Sequence, residues 1–71
     1  MTTIEKIQNF INNWGLGLSV RDLAEKTYRF MEAEGHDSYV LNGRYIGVDD
    51  VEYRFIKSRK ENRWIVKLYN E

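Results

Sequence analysis

Residues 39–48 have the sequence YVLNGRYIGV, and this segment decides the fold. At its centre, Asn42-Gly43 is the strongest short hairpin signal in the chain, because both residues tolerate the positive φ of a type I′ turn. Bulky residues alternate on either side with the period of two that is typical of β-strands. The segment predicts an antiparallel hairpin with a two-residue turn. The expected pairs are Leu41 with Arg44, Val40 with Tyr45, and Tyr39 with Ile46.

Two further strands follow this hairpin. Asp49-Asp50 predicts a second turn, and an alternating pattern then predicts a strand over about 51–57. Residues 57–62 predict another turn, in which Asn62 supplies a left-handed position. A last strand is expected over about 63–69. The whole second half of the chain therefore predicts an antiparallel meander of three or four strands.

Two helices are predicted upstream of the hairpin, over residues 3–14 and 20–34. Thr2 and Glu5 have the spacing of a capping box, and Ser19 is placed to cap the second helix. Gly15 and Gly35 are predicted to end the two helices. The expected fold is a single α+β domain over residues 1–71, with both helices packed on one face of the antiparallel meander.

Strand alternation assigns the side chains to two faces. The face expected beneath the helices collects Tyr39, Leu41, Ile46, Val48, Val51, Tyr53, Phe55, Trp64, Val66 and Leu68. The opposite face collects Val40, Tyr45, Glu52, Arg54, Ile56, Arg63, Ile65, Lys67 and Tyr69. That opposite face carries larger apolar groups than contact with water requires. A shift of one residue in the register would exchange the two faces of a strand.

Composition limits the classes of protein that the chain can belong to. There is no cysteine, so neither a disulfide framework nor a cysteine-based metal site is expected. No run of apolar residues exceeds three, far below the roughly 20 that a membrane-spanning helix needs. The N-terminus lacks the basic and apolar regions of a secretory signal. We therefore expect a cytoplasmic protein with no membrane association.

Enzymatic or metal-dependent chemistry has little support in this sequence, and no cofactor is expected. The chain has no glycine-rich phosphate loop. Its only histidine, His36, has Asp37, Asp49 and Asp50 as nearby acids, but their spacing matches neither a zinc nor an EF-hand pattern. We expect a non-enzymatic accessory protein.

The face opposite the helices is the main candidate site. Its apolar and aromatic groups, surrounded by cations, predict a partner-binding surface, most simply that of a homodimer. A structural role, in which cross-strand pairs only stabilise the hairpins, is the competing interpretation. The candidate partner-binding residues are Tyr45, Arg54, Ile56, Arg63, Ile65, Lys67 and Tyr69.

An alternative function follows from the charge of the last third of the chain. Residues 53–70 hold six basic side chains against the single acid Glu61, although the whole chain has no net charge. Basic groups interleaved with aromatic ones suit nucleic acid as well as an acidic protein. The residues of this alternative nucleic-acid site are Lys57, Arg59, Lys60, Arg63 and Lys67.

Overall fold

The computed structural model describes all residues from 1 to 71. Two helices precede four strands, and the strands form one antiparallel sheet in the order β1-β2-β3-β4. The predicted α+β fold is therefore confirmed, with four strands rather than three. The elements are α1 (Thr3–Trp14), α2 (Val20–Ala33), β1 (Ser38–Leu41), β2 (Tyr45–Val48), β3 (Val51–Ser58) and β4 (Arg63–Leu68).

The helix starts form as the sequence predicts. The Thr2 hydroxyl accepts from the backbone N–H of Glu5, whose carboxylate accepts from the N–H of Thr2 in return, completing the capping box. The Ser19 hydroxyl accepts from the N–H of Asp22 at the start of α2. Each side chain satisfies a backbone donor that has no partner within its helix.

The two glycines at the helix ends serve different purposes. Gly35 has a φ of +92°, the left-handed conformation that ends many helices. Gly15 instead keeps a right-handed φ of −99°, so it is not the left-handed residue that this ending favours. Close packing requires glycine there, because a Cβ at position 15 would lie 2.6 Å from Cδ1 of Leu23.

The first hairpin has the predicted turn but a different register. Asn42 and Gly43 both have positive φ, and the N–H of Arg44 donates to the carbonyl of Leu41. Leu41 nevertheless pairs with Tyr45 instead of Arg44, so Arg44 is left out of the pairing. The two other predicted pairs are wrong by the same single residue. The observed pairs are Val40 with Ile46 and Tyr39 with Gly47.

The shift moves three β1 side chains to the face opposite the one predicted. Val40 points towards the helices, whereas Tyr39 and Leu41 point away from them, because directly paired residues share a face. The sizes of the side chains explain this outcome. Small Val40 and Ser38 fit beneath α2, and the large Tyr39 ring lies across Gly47, where no side chain competes for the space.

The face towards the helices, called the inner face, carries the core. Ile7 and Ile11 from α1, and Leu23, Ala24 and Met31 from α2, are buried against it. Val51 and Leu68 were predicted as core, but each is 40% exposed at the end of the sheet. Trp64 is half-buried, and its indole N–H donates to the carbonyl of Leu18. The buried strand residues are Ile46, Val48, Tyr53, Phe55 and Val66.

One side chain of α1 covers the free edge of β4. The amide of Gln8 donates to the carbonyl of Trp64 and accepts from the N–H of Val66, both at 3.0 Å. Gln8 thus takes the place of a neighbouring strand at this edge. An exposed strand edge can pair with a strand of another chain. The contact of Gln8 therefore limits association at the edge of β4.

Candidate partner-binding face of the sheet

The face opposite the helices, called the outer face, carries every residue of the predicted partner-binding site. Both helices lie on the inner face, and no helix or strand covers the outer one. Strand pairing places the side chains of Tyr45, Arg54 and Lys67 in one row across β2, β3 and β4. A second row pairs Ile56 with Ile65, and Ser58 with Arg63 lies beyond it. Tyr69, just after β4, donates its N–H to Glu52 and continues this pairing.

Sequence reasoning missed two members of this face, Tyr39 and Leu41. The one-residue shift of β1 adds both to the outer face and removes Val40 from it. Gly47 was the signal that could have revealed the shift. A glycine inside a strand marks a place where another group approaches closely, and here that group is the Tyr39 ring.

Two tyrosines meet above the centre of the outer face. The ring centroids of Tyr45 and Tyr69 are 5.0 Å apart at an interplanar angle of 77°, an edge-to-face contact. Tyr45 belongs to β2 and Tyr69 follows β4, two strands that are roughly 9.6 Å apart because β3 lies between them. Both rings must therefore lean over β3. Arg54 lies on β3 in this region, and its Nε atom is buried with no hydrogen-bond partner.

The isoleucine row continues the apolar surface towards the β3–β4 turn. Ile56 and Ile65 are directly paired, and both remain half-buried although no element packs on them. Arg63 closes this end of the face. Its guanidinium donates to Asn12 at 3.0 Å and forms an ion pair with Glu61 at 2.9 Å. Because these contacts hold Arg63 in place, the cation marks a fixed border of the outer face.

The residues of the alternative nucleic-acid site do not share one face. Arg63 and Lys67 lie on the outer face, whereas Lys57 lies on the inner side with its ammonium 5.3 Å from the centre of the Trp64 ring. Arg59 and Lys60 are exposed in the turn between β3 and β4. All of these residues except Lys67 lie at one end of the sheet. Arg21 and Arg44 lie at the same end, and no sequence pattern indicated that they would join these residues.

The opposite end of the sheet contains the one histidine contact. The Nδ1 atom of His36 lies 2.5 Å from a carboxylate oxygen of Asp49, and the other oxygen of that carboxylate accepts from the N–H of Asp37. The hydrogen bond from His36 is the main cause that lowers the pKa of Asp49, followed by the one from Asp37. No group of three histidine or acidic side chains has an arrangement that could hold a metal ion. His36 and Asp49 instead connect the end of α2 to the β2–β3 turn.

Open depressions on the surface offer limited room for small molecules. One of about 360 Å³ lies beside Tyr69 and Glu52, at the edge of the outer face. A second, of about 320 Å³, follows α1 and is lined by Phe10, Trp14 and Phe30, whose two phenylalanine rings stack at 4.2 Å. A third, of about 310 Å³, lies where β2 begins and β3 continues past it. Each is near the lower limit of the volumes that ligand sites occupy.

Comparison with protein-family models, curated proteins and solved structures found no match for this chain. No helix has both the length and the apolar character that crossing a membrane requires.

Proposed function

We propose that this chain is a non-enzymatic protein-interaction module that forms a symmetric homodimer through its outer face. The observation that carries the proposal is the uncovered face of a four-stranded sheet with apolar or aromatic groups on every strand. These groups are Tyr39, Leu41, Tyr45, Ile56, Ile65 and Tyr69. Aromatic and aliphatic side chains grouped in this way, with cations at the border, are typical of protein interfaces.

The distribution of charge favours a second copy as the partner. The two ends of the sheet carry opposite charge, with Arg63 at one end of the outer face and Glu52 at the other. A face-to-face dimer whose two-fold axis runs across the strands places the basic end of one copy on the acidic end of the other. A two-fold axis along the strands would superpose like charges. The first arrangement is therefore complementary, and it satisfies the rule that a two-fold interface uses the same surface twice.

The size of the face determines the strength expected of the dimer. With strands about 4.8 Å apart and about 3.3 Å per residue, the four strands cover roughly 350 Å² in projection. A standard interface buries about 800 Å² on each partner, so this dimer belongs to the small, reversible class. We expect a dissociation constant in the micromolar range or weaker.

Sedimentation equilibrium over a wide range of protein concentration tests the proposal. The native chain should shift from the monomer mass of 8.5 kDa towards twice that value as its concentration rises. Ile65→Asp should remain a monomer, because it places two charges in a desolvated interface. Leu16→Asp is the matched control, since Leu16 is 61% exposed in the connector between the helices.

Two results would overturn the homodimer. One is a native chain that stays monomeric at every concentration. The other is an Ile65→Asp variant that dimerises as well as Leu16→Asp while circular dichroism shows both to be folded.

A further inference from the structure

The basic residues of three separate chain segments converge at one end of the molecule. In an antiparallel meander the β1–β2 and β3–β4 turns lie at the same end of the sheet, and here the start of α2 joins them. The guanidinium of Arg21 lies beside Gly43, because a Cβ at position 43 would come within 3.3 Å of the Arg21 Nε. Six cations and two acids, Asp22 and Glu61, lie at this basic end. The cations are Arg21, Arg44, Lys57, Arg59, Lys60 and Arg63.

The other end of the sheet carries the compensating negative charge. It is formed by the end of α2, the β2–β3 turn and the last residues of the chain. Its acids are Glu34, Asp37, Asp49, Asp50, Glu52 and Glu71. Although the chain has no net charge, its two ends therefore carry opposite charges. A polyanion is attracted to one end and repelled by the other, so the summed field orients it as it approaches.

A notch opens at the basic end, where β2 begins and β3 continues past it without a partner on that side. Its volume is about 310 Å³, and Arg44 and Arg54 both line it. Tyr45 and Trp64 add aromatic walls, while Val20 and Phe55 complete the lining. The Nε atom of Arg54 is buried and donates to no group of the protein. The guanidinium of Arg54 makes no hydrogen bond within the protein, so an anion in the notch would give its remaining nitrogens an acceptor.

We propose that this notch binds a phosphate group of single-stranded nucleic acid, whose backbone then follows the basic end of the molecule. Arginine has a planar fork of donors that matches the oxygens of a phosphate, and the notch contains two arginines. The aromatic walls favour a nucleotide over an acidic peptide, because bases stack on aromatic rings. Arg21, Lys57, Arg59 and Lys60 lie at the same end of the molecule and would contact the neighbouring phosphates. Tyr45 and Arg54 belong both to this notch and to the outer face, whereas the isoleucine row and the Tyr69 ring belong to the outer face alone.

Fluorescence anisotropy with a labelled oligothymidylate tests this site on the full chain. About four phosphate contacts predict that affinity falls by two to three orders of magnitude between about 20 and 200 mM salt. Arg44→Glu should weaken binding at the lower salt by about tenfold or more and reduce the salt dependence. Lys26→Glu is the matched control, because it changes the charge equally on the exposed face of α2. It should leave binding nearly unchanged.

Competition identifies the chemistry of the ligand. Unlabelled oligothymidylate should displace the probe at far lower concentration than polyglutamate of equal charge. The phosphate site would be contradicted if polyglutamate displaced the probe as effectively as oligothymidylate does. It would also be contradicted if Arg44→Glu and Lys26→Glu weakened oligonucleotide binding equally. Binding that is absent at low salt would overturn it as well. At protein concentrations where the native chain is monomeric, Ile65→Asp should bind the oligonucleotide like the native chain, so this test remains separate from that of the homodimer.

Discussion

The inner and outer faces of the sheet carry similar side chains and have different surroundings. Ile46 on the inner face is fully buried beneath the helices, whereas Ile65 on the outer face is half-buried with no element above it. Both faces also carry aromatic rings that contact one another or the core. The difference shows that the position of the helices, and not the amount of apolar surface, decides which face is the core. The side chains of the outer face are therefore not part of the core beneath the helices.

The largest expected effect comes from breaking the inner face. Ile46→Ala should lower the free energy of unfolding by about 2–5 kcal/mol, because it leaves a cavity in a tightly packed core. Ile65→Ala removes the same atoms from the outer face, and it should cost no more than about 1 kcal/mol where the protein is monomeric. Urea denaturation of both variants at one low protein concentration measures the comparison.

Equal losses in the two variants would contradict this contrast between the faces. They would mean that the outer face stabilises the monomer as strongly as the core does. The uncovered apolar groups would then serve folding, and no partner would be needed to account for them.

A smaller effect is expected where Tyr39 lies across Gly47. A Cβ at position 47 would collide with the Tyr39 ring, so Gly47→Ala should cost about 1–3 kcal/mol of stability. The double variant Gly47→Ala with Tyr39→Ala should recover most of that loss, since the colliding ring is gone. Thermal unfolding of the two single variants and the double variant measures the coupling between the residues.

A double variant that is merely the sum of the two single ones would show that Tyr39 does not lie on Gly47. The register of β1 would then differ from the one in this structure. Tyr39 and Leu41 would leave the outer face, and the proposed interface would lose one of its four strands.

The smallest effect concerns the acidic end, where both faces terminate. The pKa of Asp49 is lowered from its ordinary value of 3.8, so the folded state favours the ionised carboxylate. The stability that this group contributes is present above about pH 3.8 and is lost as the pH falls through the lowered value. Asp49→Asn should therefore reduce the acid sensitivity of unfolding below that pH. Asp50→Asn is the matched control, since neither variant disturbs the positive φ of its turn position.

The pH dependence is measured by thermal unfolding from pH 2.5 to pH 6 for the native chain and both variants. Identical pH profiles for Asp49→Asn and the native chain would show that the His36–Asp49 contact does not influence stability.

Much of the fold was predictable because local signals agreed with one another. The capping box of α1, the Ser19 cap of α2, the glycine after α2 and the Asn42-Gly43 turn each depend on neighbouring residues, so the sequence locates them directly. The register of β1 was not predictable in this way. It depends on which side chains fit beneath α2 and on the close approach of Tyr39 to Gly47, and both are contacts between distant parts of the chain.

The residues of the candidate site were also predictable where they depend on neighbours in the sequence. They were not predictable where they depend on contacts between distant segments of the chain. Six of the seven predicted partner-binding residues belong to strands whose alternation was correct, Tyr69 follows β4, and all seven lie on the outer face. Arg21 and Arg44 could not be assigned to the basic end from the sequence. They are far from the basic segment in the chain, and only the packing of α2 beside the first turn brings them to the basic end.

The outer face as a homodimer interface is tested most directly by NMR spectra of the backbone amides recorded during dilution. Dilution is expected to shift the signals of all four strands and of Tyr69, where outer-face side chains would leave the partner. The signals of α1 and α2 should remain in place. Signals that do not change with concentration, or changes confined to the helices, would contradict the claim that the outer face binds a second copy of the chain.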